Sequence, residues 1–488
     1  MSAVSRAMIT AVHLVLAFTA GPCPFAATSA PSLRLATPVA SATPGQNTPR
    51  SVEVAIIGGG PCGLATALAL SKSRSLQGAT VEVFESDAFR PKGASILISK
   101  AGWAALNAID PDTARRIRTT SAPVTRVSVR TLGGANLTPA PVRVFMTIVG
   151  ALFALLRRVG IQRGLLGVHL WHEVREVLRQ RAEASGAVLS PSKTLVEMTE
   201  GADAMRLRFD DGDEVAAKVV LACDGVSSAC RHELLLTLTL TLALTLTLTL
   251  ARRLLPSEPD DLLLDEGKSA WRGQAVGLDS GREATFYKDD TGRSGLVFPA
   301  GAGQGSSWTF IASSVAGRSQ SPEEARARLA AALPDELDAT LRQAIDASPF
   351  LIESKLQTRD FSKPWASATP RVAFLGDAAH PLRPTGEGTA LALEDAWTVG
   401  SLALTLTLIL ALTPTLSLTL NPNPNPNPNQ VGSLAAVAET ADAFCQPATL
   451  RKYEAARYVE SAWPLTKWPL GIAAMIACYR PAAWDVRL

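Results

Sequence analysis

The sequence predicts an α/β fold. Three observations predict it. An apolar run from Glu53 to Gly58 leads straight into a glycine turn and then into helix formers, Leu64 to Leu70. A second apolar run, Thr80 to Glu85, follows at the spacing of a βαβ unit. Further on, alternating residues flank Asp210-Asp211-Gly212 and read as a hairpin closed by a DG turn.

The chain begins with an address. Arg6 precedes an apolar run from Ala7 to Ala20, broken only by Thr10, His13 and Thr19. That is the length of a signal-peptide core and is short for a membrane span. Phe25 to Arg50 is rich in Ser, Thr, Ala and Pro, and the first acid of the chain is Glu53. A signal core followed by a transit-like stretch predicts delivery to a plastid with extra membranes. A secretory signal followed by a linker is the alternative.

The 488 residues carry a formal charge of +3, and 19% of them are charged. The shortage has a local cause. Residues 234–250 and 402–429 hold no charge at all; they read as Leu-Thr repeats, the second passing into Asn-Pro repeats. The hexamer CCCTAA encodes Leu-Thr in one frame and Pro-Asn in another, so both tracts are predicted to be translated tandem repeats, with real low-complexity loops as the alternative, and in either case outside the fold. Without them and residues 1–50, basic and acidic residues are equal in number. That balance predicts no nucleic-acid partner. The six cysteines form no CxxC, and the His169–His172 pair lacks further ligands, so no metal site is predicted.

The glycine turn is Gly58-Gly59-Gly60-Pro61-Cys62-Gly63. In such a turn Gly58 permits the tight bend, Gly60 lets backbone approach a pyrophosphate, and Gly63 lets helix and strand pack closely. The helix N-terminus attracts phosphate charge. Glu85, 22 residues after Gly63, is placed to accept from a ribose hydroxyl. An acid there favours FAD or NAD over NADP, and the motif alone does not choose between the two. Pro61 opens the helix, and Cys62 reads as small filler rather than a redox thiol.

Two later segments resolve the choice. The hairpin leads into Cys223-Asp224-Gly225, with Arg231 following, and Arg371 to Leu375 leads into Gly376-Asp377-Ala-Ala-His380-Pro381. Then come Pro384-Thr-Gly386-Glu387-Gly388 and a helical run through Ala396. GxGxxG, DG and GD in this order resemble the flavin-dependent, aromatic-hydroxylase-like monooxygenases. Leu450 to Arg457 resembles that family's closing helix.

The resemblance implies a Rossmann-like FAD-binding domain with an interleaved β-sheet substrate domain. FAD-binding parts are expected at about 51–120, 165–233, 365–401 and 440–460, and the substrate sheet at about 121–164 and 265–360. It implies FAD on Gly58, Gly60, Pro61, Cys62, Gly63 and Glu85, with Asp224, Gly376, Asp377, Pro384, Gly386, Glu387 and Gly388 completing the site. NAD(P)H would reduce the flavin. Oxygen would add to give a C4a-hydroperoxide, which would hydroxylate or epoxidise a small hydrophobic or aromatic substrate. A reductase of the same fold and an inactive FAD-fold binding protein are the alternatives. No catalytic side chain is assigned; His380 is read as packing in preference to acid-base contact.

Two residues depart from the family pattern. Glu387 stands where the family has Gln, placing a charge near the flavin or else facing solvent. Trp171 stands where the family often has Arg. Trp271, Phe286, Phe298, Trp308 and Phe310 are read as sheet core or pocket wall. The apolar run Val144 to Leu156 is read as a buried helix or a channel element, and Trp468 to Tyr479 as a segment that touches a membrane surface or packs on the core.

Overall fold

A computed structural model describes residues 49–401 apart from 74–75, 77, 91–94, 159–165, 234–262, 302, 304, 315–318, 320, 359–370 and 383–385. The address, both repeat tracts, Pro384, the closing helix and the C-terminal apolar segment therefore lie outside the described residues.

The chain opens with strand β1 (Arg50–Ile57), helix α1 (Pro61–Lys72) and strand β2 (Val81–Glu85). β1 and β2 pair in parallel, Val54 against Val81, as a right-handed βαβ unit requires. Proline at the first turn of α1 removes an N–H that would have no helical partner. Next come β3 (Ser95–Leu97), α2 (Lys100–Ile109), α3 (Pro111–Thr119), β4 (Ala122–Val124) and β5 (Arg126–Thr131). Helix α4 (Ala140–Arg158) precedes β6 (Leu166–Leu170), α5 (Trp171–Ala184) and β7 (Val188–Pro191).

Strands β8 (Leu195–Glu200), β9 (Met205–Phe209) and β10 (Glu214–Ala222) form an antiparallel run. Gly212 adopts φ +86° in the turn between β9 and β10, a conformation open to glycine without strain. Strands β11 (Leu264–Ala275), β12 (Glu283–Lys288), β13 (Ser294–Pro299) and β14 (Ser306–Ser313) follow, then helices α6 (Pro322–Ala332) and α7 (Ala339–Asp346). Strands β15 (Leu351–Thr358) and β16 (Val372–Phe374) and helix α8 (388–401) close the described chain.

The first sheet has the order β7-β2-β1-β10-β9-β8, with β16 beside β10. Its central strand β1 is apolar on both faces because both are covered. Val54 and Ile56 face α1, α2 and α8, while Val52, Ala55 and Ile57 join Phe84, Leu207 and Phe209 on the other side. The second sheet has the order β15-β11-β14-β13-β12-β5. One of its faces buries Trp271, Trp308 and Phe310 under α6 and α7, with Leu329 and Leu341. Its other face packs Ala284 and Phe298 against Val124 and Val168 of the small sheet β3-β6-β4. The second sheet is therefore held at both ends of the sequence: β5 comes from one side of the first-sheet strands β7–β10, and β11–β15 from the other.

Helix α4 corrects a sequence expectation. Its apolar residues are not enclosed: Val144, Phe145, Ile148 and Leu155 are all exposed. An apolar run of thirteen residues, interrupted only by Thr147, makes a helix, but no described residue covers its exposed face.

Candidate functional site

The turn after β1 is built as its glycines require. A Cβ on Gly63 would lie 2.0 Å from the Gly58 carbonyl oxygen, so only glycine lets α1 start this close to β1. Gly58 adopts φ +104°, and a Cβ there would lie 2.5 Å from the Cys223 oxygen. This second contact ties the turn to the DG segment, and the Cys223 N–H donates to the Ile57 carbonyl at 2.8 Å.

Glu85 is buried at the end of β2, where its Oε2 accepts from the Gly59 N–H at 2.7 Å and its Oε1 from the Asp87 N–H at 3.0 Å. Arg175 of α5 completes this corner. Its Nε donates to the Gly59 carbonyl at 2.8 Å, and its Nη2 lies 3.2 Å from both Glu85 and Asp87. The guanidinium sits over the rings of Phe89 and Trp171, and its buried Nη1 has no hydrogen-bond partner in the protein. Sequence reasoning noticed the missing arginine at Trp171 and missed Arg175, one helical turn later. The i+4 spacing was the available signal.

The late segments meet this turn from the other side. A Cβ on Gly376 would lie 3.0 Å from Cys62 Sγ, and one on Gly388 would lie 3.5 Å from Asp377 Oδ1. Arg231 donates its Nε to the Ala378 carbonyl at 3.0 Å and sits over Phe374. GxGxxG, DG, GD and the start of α8 thus share one cleft, although they span more than 300 residues of sequence. Cys62 is buried, and contact with Cys223 together with burial pushes its thiol up, which makes it inert filler.

Asp377 lies beside these segments, next to Gly388 at the start of α8. Its surface is open, yet protein surrounds it closely enough for desolvation to raise its carboxyl above the ordinary range; His380 and Arg272 oppose that shift and Asp395 adds to it. His380 and Asp395 have no exposed surface, and His380 Nε2 lies 2.8 Å from Asp395 Oδ2, which also accepts from the Gly376 N–H at 2.7 Å. His380 is therefore a brace between the GD turn and α8.

Glu387 does not face solvent. It is 5% exposed at the start of α8, and desolvation raises its carboxyl to about 7, with Ser99 opposing and Glu394 adding to the rise. His169 is also buried, lies edge-on to Trp103, and is lowered to about 4 by desolvation. Among the described residues no group of three His, Cys, Asp or Glu could hold a metal ion.

The second sheet turns its mixed face to this cleft. Strand alternation buries Trp271 under the helices and sends Arg272 the other way, where it feels Asp377 and donates to Ser354 Oγ at 2.7 Å. Leu97, Phe286, Leu296 and Phe298 cluster on that same side of the sheet. The aromatic set therefore divides: Trp271, Trp308 and Phe310 are core, and Phe286 and Phe298 belong to the side nearer the cleft. Sequence reasoning missed Arg272, whose signal was its place beside a core tryptophan in a strand.

These residues fit FAD. A Cβ on Gly60 would meet nothing nearer than Trp171 at 3.9 Å, so the backbone there is open to an incoming group. The first turn of α1 holds no acid, leaving the positive helix end uncompensated for a pyrophosphate. Asp224 Oδ1 is buried with no partner in the protein, while its Oδ2 accepts from the Cys230 N–H.

Comparison with known proteins agrees with this geometry. A family profile described as an FAD binding domain matches residues 168–408. Over 221 residues the chain is 28% identical to 6-hydroxynicotinate 3-monooxygenase of Bordetella bronchiseptica, covering 44% of this chain and 51% of that one. It is 28% identical over 353 residues to a 3-amino-4-hydroxybenzoate 2-monooxygenase of Streptomyces platensis, covering 72% and 78%. The chain spans about half the length of the first of these relatives. Klebsiella pneumoniae HpxO, solved with FAD and uric acid, has the same fold at a TM-score of 0.53 and 20% identity, covering 87% of this chain and 97% of that one.

Proposed function

We propose that the chain, which is similar to flavin-dependent, aromatic-hydroxylase-like monooxygenases, uses NAD(P)H and O₂ to hydroxylate or epoxidise a small hydrophobic or aromatic substrate. One observation carries the reading. The cofactor segments meet around Asp377, and the second sheet brings Arg272 near that carboxyl. When bound, FAD supplies electron uptake from the nicotinamide and the activation of oxygen. The protein supplies placement. The backbone at Gly60 and the N-terminus of α1 hold the pyrophosphate, and Glu85, fixed by Gly59 and Arg175, receives the adenosine ribose. Asp377 receives the ribityl chain. Phe286, Leu296 and Phe298 exclude water from an apolar substrate.

Arg272 anchors an electron-rich or anionic group of that substrate. Arg272→Gln should raise KM by about ten- to a hundredfold while the flavin spectrum is unchanged, as expected for loss of a charge-assisted hydrogen bond. Unchanged KM would remove Arg272 from the substrate site. The reaction class is tested by NADH and NADPH consumption with and without O₂: a monooxygenase needs oxygen for turnover and places one oxygen atom in product. Turnover with an organic acceptor in the absence of O₂ would identify a reductase instead.

The N-terminal 50 residues support delivery to a plastid. A fluorescent fusion of the full chain checks this, and secretion of the fusion would favour the plain signal.

A further inference from the structure

Helix α4 carries an apolar stripe that no described residue covers. Val144, Ile148, Ala151 and Leu155 recur at spacings of four, three and four, which aligns them on one helix face, and Phe145 lies beside them. All five are exposed; Val144 keeps 60% and Ile148 63% of its surface. The opposite side of the helix carries Gly150, where a Cβ would lie 3.3 Å from Arg126 Cγ of β5. The stripe therefore points away from the protein by construction. With Leu137 just before the helix, this short stretch holds five of the twelve exposed large apolar side chains among the described residues.

Charge around the helix is one-sided. Between Asp112 and Glu173 the sequence contains nine arginines and no acid. Some of this charge is matched: Arg115 pairs with Asp112 within α3, Arg126 with Glu283 and Arg130 with Asp338. The helix itself carries Arg143 in its first turn and Arg157 and Arg158 in its last, with no acid between them. An apolar face bordered by arginines lies in the plane of an anionic lipid surface. No helix among the described residues is long and apolar enough to cross a membrane.

We propose that α4 docks the protein onto anionic lipid bilayers, with Val144, Phe145, Ile148 and Leu155 in the acyl boundary and Arg143 at the headgroups. Two other occupants fit less well. The C-terminal segment 461–488 holds Lys467, Arg480 and Arg487 against Asp485 alone, so it does not complement the arginines. A nucleic acid has no use for the apolar stripe. The docking has a consequence for access. α4 packs on β5, the edge strand of the second sheet, and the neighbouring strand β12 carries Phe286, so a lipid-dissolved substrate would be released beside the apolar side of that sheet.

The test is flotation of the purified full chain with vesicles of phosphatidylcholine alone and of phosphatidylcholine with phosphatidylglycerol. Binding to the anionic vesicles is expected, weakening as salt rises. The double variant Phe145→Glu/Ile148→Glu should bind at least roughly tenfold more weakly, and the variant Arg143→Gln/Arg157→Gln/Arg158→Gln should bind anionic and neutral vesicles alike. The altered apolar residues are exposed, so unfolding midpoint and flavin absorbance should match the parent chain. No binding to anionic vesicles overturns the proposal. So does binding that survives the apolar variant but is lost in Trp463→Ala/Trp468→Ala, which would assign it to the C-terminal segment. Binding of polyuridylate that is as tight as vesicle binding and indifferent to the apolar variant also overturns it.

Discussion

Glu387 and His169 are both buried ionisable side chains, and burial moves them in opposite directions. Glu387 is raised to about 7 from 4.5, so the folded state holds a proton that the unfolded state has released. Its effect is a loss of stability as pH rises from about 4.5 to 7. His169 is lowered to about 4 from 6.5, so the unfolded state takes up a proton that the folded state refuses. Its effect is a loss of stability as pH falls from about 6.5 to 4. Each amounts to something on the order of 3 kcal/mol, and the windows overlap, so the two slopes largely cancel. Glu387→Gln should therefore unmask a protein that weakens towards pH 4, and His169→Gln one that weakens towards pH 7. Urea midpoints across that range check this, and flat profiles in both variants would count against burial at either site. At the same scale, Gly63→Ala places a methyl 2.0 Å from a backbone oxygen that cannot give way. It should cost about 1–3 kcal/mol in the unfolding midpoint and abolish flavin absorbance, because α1 must move off β1.

Elements show how far local reading reaches. The strand, turn and helix at 50–72 and the hairpin at 205–222 were legible because period and turn chemistry are local. The aromatic residues of the second sheet were legible as apolar but not as to side. Which face of β11 meets α6 and α7 depends on elements more than 40 residues away. That face is tightly fitted. A Cβ on Gly273 would lie 2.8 Å from the Trp308 indole, whose Nε1 donates to Ser348 Oγ at 2.6 Å. Gly273→Ala should therefore lower the unfolding midpoint by roughly 1–3 kcal/mol, and Trp308→Phe combined with it should recover part of that loss. Helix α4 is the opposite case: its length and apolarity were visible, but its exposure was not.

At the scale of the molecule, the two repeat tracts leave from 233 and from 401, at the margins of the cofactor segments. A chain lacking 234–250 and 402–429 should keep both its unfolding midpoint and its flavin absorbance. Loop closure depends only weakly on length, and neither tract contributes charge or pattern to the described sheets. Loss of flavin binding in that chain would make the tracts part of the fold.

The sequence by itself determined the glycine turn, the DG and GD segments and their order, because each is set by what a few neighbouring residues allow the backbone to do. It could not place Arg175 against Gly59, Arg272 beside Asp377, or Glu387 out of water. Those placements depend on contacts between segments far apart in the chain. Only the packed sheets decide which charges lose their water and which neighbours replace it.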